Sequence, residues 1–129
     1  MEILASRVLF RPADYPRSLA FYRDGIGLAI AREYGSGTVF YAGQSLIELA
    51  GHGAPDHCTP PFPGALWLQV RNLHATQEEL QQRGVEITRQ ARREPWGLHE
   101  MHVLDPDGVM LIFVQVPEDH PLRRDTRAM

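Results

Sequence analysis

Apolar and polar positions along the chain mark out short strands and two helices, arranged twice in the same order. Residues 6–11 alternate as a strand would, and Pro12 ends it because proline cannot donate to a ladder. Asp14 is then a natural helix cap, since its carboxylate can accept from the free N–H groups of the next turn. Pro16 suits that first turn, where its missing N–H has no partner to lose. Leu19 and Tyr22, three residues apart, give the short helix an inward face, and Gly25 and Gly27 stop it. Three strand-like stretches follow at 28–34, 38–42 and 45–50. Gly35-Ser36-Gly37 and Gly43-Gln44 provide the turns between them.

Residues 51–64 carry prolines at 55, 60, 61 and 63 and cannot be regular structure, so they read as a linker. After it the plan repeats. Residues 65–70 read as a strand, Asn72 can cap a helix over 73–83, and Gly84 ends it. Further strands are expected at 85–89, 100–104 and 110–116. Asp14 aligns with Asn72, so each half is a strand–helix–three-strand unit repeated in pattern and not in sequence. The expected class is α+β, with module one at about 6–50, the linker at 51–64, module two at about 65–116 and a solvated tail at 117–129.

Composition narrows the picture only a little. With 129 residues, 43% of them hydrophobic, the chain can bury one core or two small merged ones. A net charge of −3 and interleaved arginines and acids give no footprint for nucleic acid or an anionic membrane. The single cysteine, Cys58, has no partner for an internal disulfide, and the N-terminus does not read as a leader. No apolar run approaches the roughly 20 residues of a membrane span. The expectation is a soluble, cytoplasmic protein with neither nucleic acid nor membrane as partner.

Two segments carry more information. One is Asp14-Tyr15-Pro16-Arg17-Ser18-Leu19-Ala20-Phe21-Tyr22. The other is Asp105-Pro106-Asp107-Gly108, followed by the apolar run 109–114. In this order, around a helix and strands, they resemble the glyoxalase / bleomycin-resistance / dioxygenase superfamily, also called vicinal oxygen chelate proteins. The resemblance implies two modules with helices outside and curved mixed sheets enclosing a cleft. It also implies a divalent metal held by four side chains, one from each of four strands. The matching positions here are Arg7, Glu48, Ala65 and Ile112. Arginine stays protonated, and alanine and isoleucine have no lone pairs to offer. One carboxylate does not hold a catalytic divalent ion, which needs about three protein ligands and an open position. No metal and no other cofactor is therefore expected. The family members that this pattern implies are the metal-free, bleomycin-resistance-like ones, which Glu94-Pro95-Trp96-Gly97 and Glu100 also resemble.

Other donor sets do not replace the missing one. His52, His57 and Cys58 lie in or beside the linker without a standard zinc spacing. His99 and His102 would point to opposite faces of a strand. No Ser-His-Asp or Cys-His arrangement can be assigned.

Alternation also tells which side chains share a face. Arg7 goes with Leu9 and Arg11, and Glu48 with Leu46 and Ala50. Trp67 goes with Ala65 and Gln69, and Ile112 with Met110 and Val114. With Trp96 from a loop, this gives a largely apolar surface with a few polar groups, which is how small organic ligands are held. The candidate ligand-binding residues are Arg7, Leu9, Glu48, Trp67, Gln69, Trp96, Met110 and Ile112. Bland readings compete with this one: Trp67 as core, and Arg7 with Glu48 as a pair that only neutralises itself. The functional expectation is a metal-free small-molecule binding protein, with antibiotic or natural-product resistance by sequestration as its use. The alternatives are a divergent metal-dependent lyase, isomerase or dioxygenase, a metal-free enzyme using Glu48 as base, and a module with a vestigial cleft. Resemblance and size add the expectation of a homodimer.

Overall fold

The computed structural model describes residues 1–52 and 62–121; His57, Cys58, the middle of the linker and residues 122–129 lie outside the described residues. The chain forms two compact units, Met1–Pro63 with Asp105–Val109, and Gly64–Leu104 with Met110–Met129.

In the first unit Asp14 accepts from the Arg17 N–H at 3.2 Å and opens helix α1 (Tyr15–Ala20). The helix continues as a π-helical turn over Phe21–Ile26 and ends at Gly27, which takes the left-handed conformation. Strands β1 (Val8–Phe10), β2 (Ile30–Tyr34), β3 (Gly37–Ala42) and β4 (Ser45–Ala50) form one sheet in the order β1-β4-β3-β2. β1 runs parallel to β4, and the other pairs are antiparallel.

The second unit repeats this topology. Strands β5 (Ala65–Gln69), β6 (Arg89–Arg93), β7 (His99–Leu104) and β8 (Met110–Gln115) take the order β5-β8-β7-β6, with β5 parallel to β8. Asn72 accepts from the Ala75 N–H at 3.0 Å and starts α2 (Leu73–Gln82). Both units are thus βαβββ with an open mixed sheet, and the class is α+β as the pattern of caps and strands implied.

One strand is displaced from its expected place. Residues 85–89 do not form a strand, and β6 begins at Arg89. The reason lies in how α2 ends. Gly84, at φ 79°, donates to the Gln81 carbonyl and Val85 donates to the Leu80 carbonyl, while Leu80 and Val85 are both buried. This is a Schellman closure with its apolar contact, and it uses Val85 to finish the helix. The strand then falls on Arg-Gln-Ala-Arg-Arg, a segment with no apolar alternation.

Each helix packs on one face of its own sheet. In the first unit that face carries Thr38, Phe40, Ile47 and Leu49 with Ser18 and Tyr22, all buried. The Tyr22 and Phe40 rings lie 6.2 Å apart, and Tyr15 and Thr38 share a hydrogen bond of 2.7 Å between their hydroxyls. In the second unit the face carries Met101, Val103, Leu111 and Phe113, with Leu73 and Leu80 from α2. Burying each large apolar side chain contributes about 1.5–3 kcal/mol, so these two strips supply most of the driving force for the two sheets.

The Asp-Pro-Asp-Gly turn has a defined task. The Asp105 carboxylate accepts from the N–H groups of Asp107 and Val109, both at 2.8 Å, and its other oxygen accepts from the buried Tyr22 hydroxyl at 2.7 Å. Asp107 accepts from the Ala13 N–H at 3.2 Å and the Ser18 hydroxyl at 3.4 Å. Burial first, then the Asp105 charge, pushes the Tyr22 hydroxyl well above the usual tyrosine range and keeps it a donor. The two sequence segments that carry the family resemblance therefore bond to each other. Among the described residues, no helix is long and apolar enough to cross a membrane.

Candidate functional site

The sheet face away from each helix is where chemistry-bearing side chains gather. In the first unit the register sets Leu9 beside Glu48, Glu48 beside Val39 and Val39 beside Arg32. Arg7, just before β1, reaches Glu48 on this face: its Nη1 donates to Glu48 Oε1 at 2.9 Å. The other carboxylate oxygen accepts a short hydrogen bond from the Tyr34 hydroxyl. Glu48 is only 12% exposed in its side chain, yet both its oxygens are occupied. The Tyr34 hydrogen bond, and after it Arg7, hold its carboxyl below the usual glutamate range against an opposing push from burial. Tyr34 moves the other way, raised chiefly by the same hydrogen bond. Arg32 lies over the Tyr34 ring at 5.5 Å, and Leu9 (40% exposed) and Tyr41 (55%) supply apolar surface. His52 accepts or donates through Nδ1 with the Ser36 hydroxyl at 3.1 Å, beyond β4.

In the second unit two rows cross the corresponding face. Trp67, Ile112, His102 and Arg89 form one; Gln69, Val114, Glu100 and Arg92 form the other. Ala65, Met110 and Leu104 make a third, apolar row. Trp67 is 47% exposed, so it is not a core residue. Trp96, 58% exposed in the β6–β7 connection, is tied to this face because its indole N–H donates to Glu100 Oε2 at 2.8 Å. Its carbonyl meets the His120 ring nitrogen at 3.1 Å. Glu94 is buried and bonded by Arg89, through a short contact, and by Arg92 Nε at 3.2 Å. Burial pushes the Glu94 carboxyl up, but the bonds from Arg92 and Arg89 prevail and hold it below its usual range. Burial and then Arg89 lower His102, so it is neutral near neutral pH.

The sequence-derived residues thus fall into two groups. Arg7, Leu9 and Glu48 share one face, and Trp67, Gln69, Met110 and Ile112 share another, with Trp96 joined to it through Glu100. His99 and His102 occupy opposite faces of β7, as strand alternation requires. Tyr34, Arg32, Arg89, Glu94 and His102 were not singled out from the sequence as members of these faces. Tyr34 was legible only once the β3–β4 and β2–β3 registers were known, and Arg89 and Glu94 were obscured by the displaced β6.

The residues present do not fit the metal that the family resemblance implies. In the first unit the one carboxylate is bonded to a guanidinium and a phenol, and a cation there would meet the Arg7 charge. In the second unit the matching positions are Ala65 and Ile112. No group of three or more His, Cys, Asp or Glu side chains with metal-binding geometry occurs among the described residues.

Solved structures share this fold at low identity. A glyoxalase/bleomycin resistance protein/dioxygenase from Alicyclobacillus acidocaldarius is 16% identical, with 89% of this chain and 92% of that one covered at a TM-score of 0.70. A glyoxalase-related enzyme from Fulvimarina pelagi is 21% identical, covering 91% and 90% at 0.70. A lactoylglutathione lyase from Agrobacterium tumefaciens is 17% identical, covering 89% and 96% at 0.62. No curated protein matches the chain in sequence. The family model of the glyoxalase/bleomycin resistance protein/dioxygenase superfamily matches residues 5–113, and the chain belongs to that superfamily.

Proposed function

We propose that this chain is a small-molecule binding protein that captures an organic ligand on its open sheet faces without a divalent metal. Resistance to an antibiotic or other natural product by sequestration is the use that suits such a protein. The observation that carries the reading is the state of Glu48. Its two oxygens are taken by Arg7 and Tyr34, so the carboxylate is neither a free metal ligand nor a strong base. Around it and around Ile112 lie the exposed side chains of Leu9 and Trp67, and the indole offers flat contact area at low entropic cost. Trp96 adds a second indole held in place by Glu100.

The second reading is an enzyme of the same superfamily, and it draws on the lyase and the glyoxalase-related enzyme among the similar structures. A metal-free enzyme would use Glu48 as base, which needs a raised pKa, whereas Tyr34 and Arg7 lower it.

Extraction of the purified protein for co-purified organic molecules, followed by titration of tryptophan fluorescence with what is found, tests the binding reading. Trp67→Ala and Trp96→Ala are expected to weaken binding by roughly 1–3 kcal/mol each. A ligand whose affinity is unchanged in both variants would remove the second unit's face from the site.

A further inference from the structure

We infer that the ligand of the first unit's open face is an organic anion: an apolar, preferably aromatic, body bearing a carboxylate, sulfonate or phosphate. The inference rests on the binding reading above and names the ligand's chemistry. The face carries two guanidiniums, Arg7 and Arg32, against one carboxylate, Glu48. That carboxylate is also closed, because Tyr34 takes the oxygen that Arg7 leaves. Arg7 uses only Nη1 in the pair, and its remaining N–H groups have no acceptor among the described residues. Arg32 has a ring contact with Tyr34 and no carboxylate partner among the described residues. The whole chain has a net charge of −3, so a local excess of positive charge runs against its general balance.

The second unit shows the contrast. There Arg89 and Arg92 face Glu94 and Glu100, and the charges cancel. Unpartnered guanidinium N–H groups occur on both faces, Arg89 Nε among them, but among the described residues the first face sets an excess of arginine over carboxylate beside the exposed apolar side chains Leu9 and Tyr41. A guanidinium is a planar fork matched to a carboxylate or sulfonate, and it stays charged at any working pH. A cationic ligand would instead meet two fixed positive charges and find its one possible counter-ion already occupied.

The test uses two fluorophores with the same rings. 8-Anilinonaphthalene-1-sulfonate is anionic, and N-phenyl-1-naphthylamine lacks the sulfonate. With the parent chain the sulfonate is expected to bind saturably and about tenfold more tightly than the neutral amine, and to weaken as salt is added. Arg32→Gln, which breaks no ion pair, is expected to weaken the sulfonate by about five- to tenfold while leaving the neutral probe unchanged. Arg7→Gln should do the same, with circular dichroism and thermal melting confirming that both variants fold like the parent. Equal affinities for the two probes, or sulfonate binding untouched by both arginine variants, would overturn the anion assignment alone. Failure of either probe to saturate, with tryptophan titrations equally silent, would overturn the binding reading beneath it.

Discussion

A β-carbon at position 37 would strike the Tyr34 ring and come within 2.8 Å of the Leu49 carbonyl. Glycine there lets the ring cross the sheet and deliver its hydroxyl to Glu48, so the electrostatics of one residue depend on the missing side chain of another. Tyr34→Phe and Gly37→Ala should each raise the Glu48 carboxyl toward its ordinary range, measured by carboxyl chemical shifts during a pH titration. Because both remove one hydrogen bond, the double variant should raise it no further than either single change. Glu48 has a depressed pKa in the folded protein, so the stability it adds is present above the ordinary glutamate value and is lost as pH falls through the folded value. Urea midpoints taken between about pH 7 and about pH 3 should therefore fall more steeply for the parent than for Tyr34→Phe, which starts about 1 kcal/mol less stable. Parallel profiles would show that Tyr34 does not set the carboxyl's state. At this scale the sequence was legible where chemistry needs no register. Arg7 beside Glu48 followed from the family resemblance, which implies that both stand at converging metal positions. Tyr34 did not, because it stands on β2 and reaches Glu48 on β4 across β3, which needs the strand order and the bare backbone of Gly37 opposite it.

Helix ends decide where the elements fall. Asp14 and Asn72 were readable as caps because a short acceptor side chain before an apolar-periodic run has one common use. The strands 45–50 and 65–69 were readable from their length and β-branched or aromatic content. β6 was not, because Val85, the apolar residue that suggested a strand, closes α2 instead, and the strand itself presents four polar residues out of five. Gly84→Ala should cost about 1 kcal/mol or more in thermal unfolding, since alanine is strained at φ 79°. The Asp-Pro-Asp-Gly turn looks generic in sequence, yet Asp105 receives the buried Tyr22 hydroxyl and Asp107 receives the helix start. Tyr22→Phe leaves Asp105 one donor short in a buried place and should lower stability by roughly 1–3 kcal/mol, with little effect on ligand titrations. If it changed ligand affinity as strongly as stability, the turn would belong to the binding machinery and not only to the fold.

The whole molecule repeats one topology with two different surface chemistries. The first open face has a positive excess around a closed carboxylate; the second is charge-balanced, with two indoles and an apolar row. The repeat was visible in the sequence because caps, glycines and strands recur in order. Which face carries the unspent charge was not, since the sequence does not show that Arg89 and Arg92 turn to Glu94 and Glu100 while Arg32, among the described residues, meets only the Tyr34 ring. Exposed apolar side chains on such faces also motivate the proposal of a homodimer. Light scattering at micromolar concentration should then give about twice the 14.6 kDa of one chain, and a mass of one chain would refute it. The central claim is that this superfamily member binds its ligand with Glu48 committed to Arg7 and Tyr34, and not to a metal. Elemental analysis of protein purified without chelator, alongside Glu48→Ala, tests it most directly. The account predicts far less than one equivalent of zinc, nickel, manganese or iron in both proteins, whereas about one equivalent per chain in the parent, lost in Glu48→Ala, would contradict it.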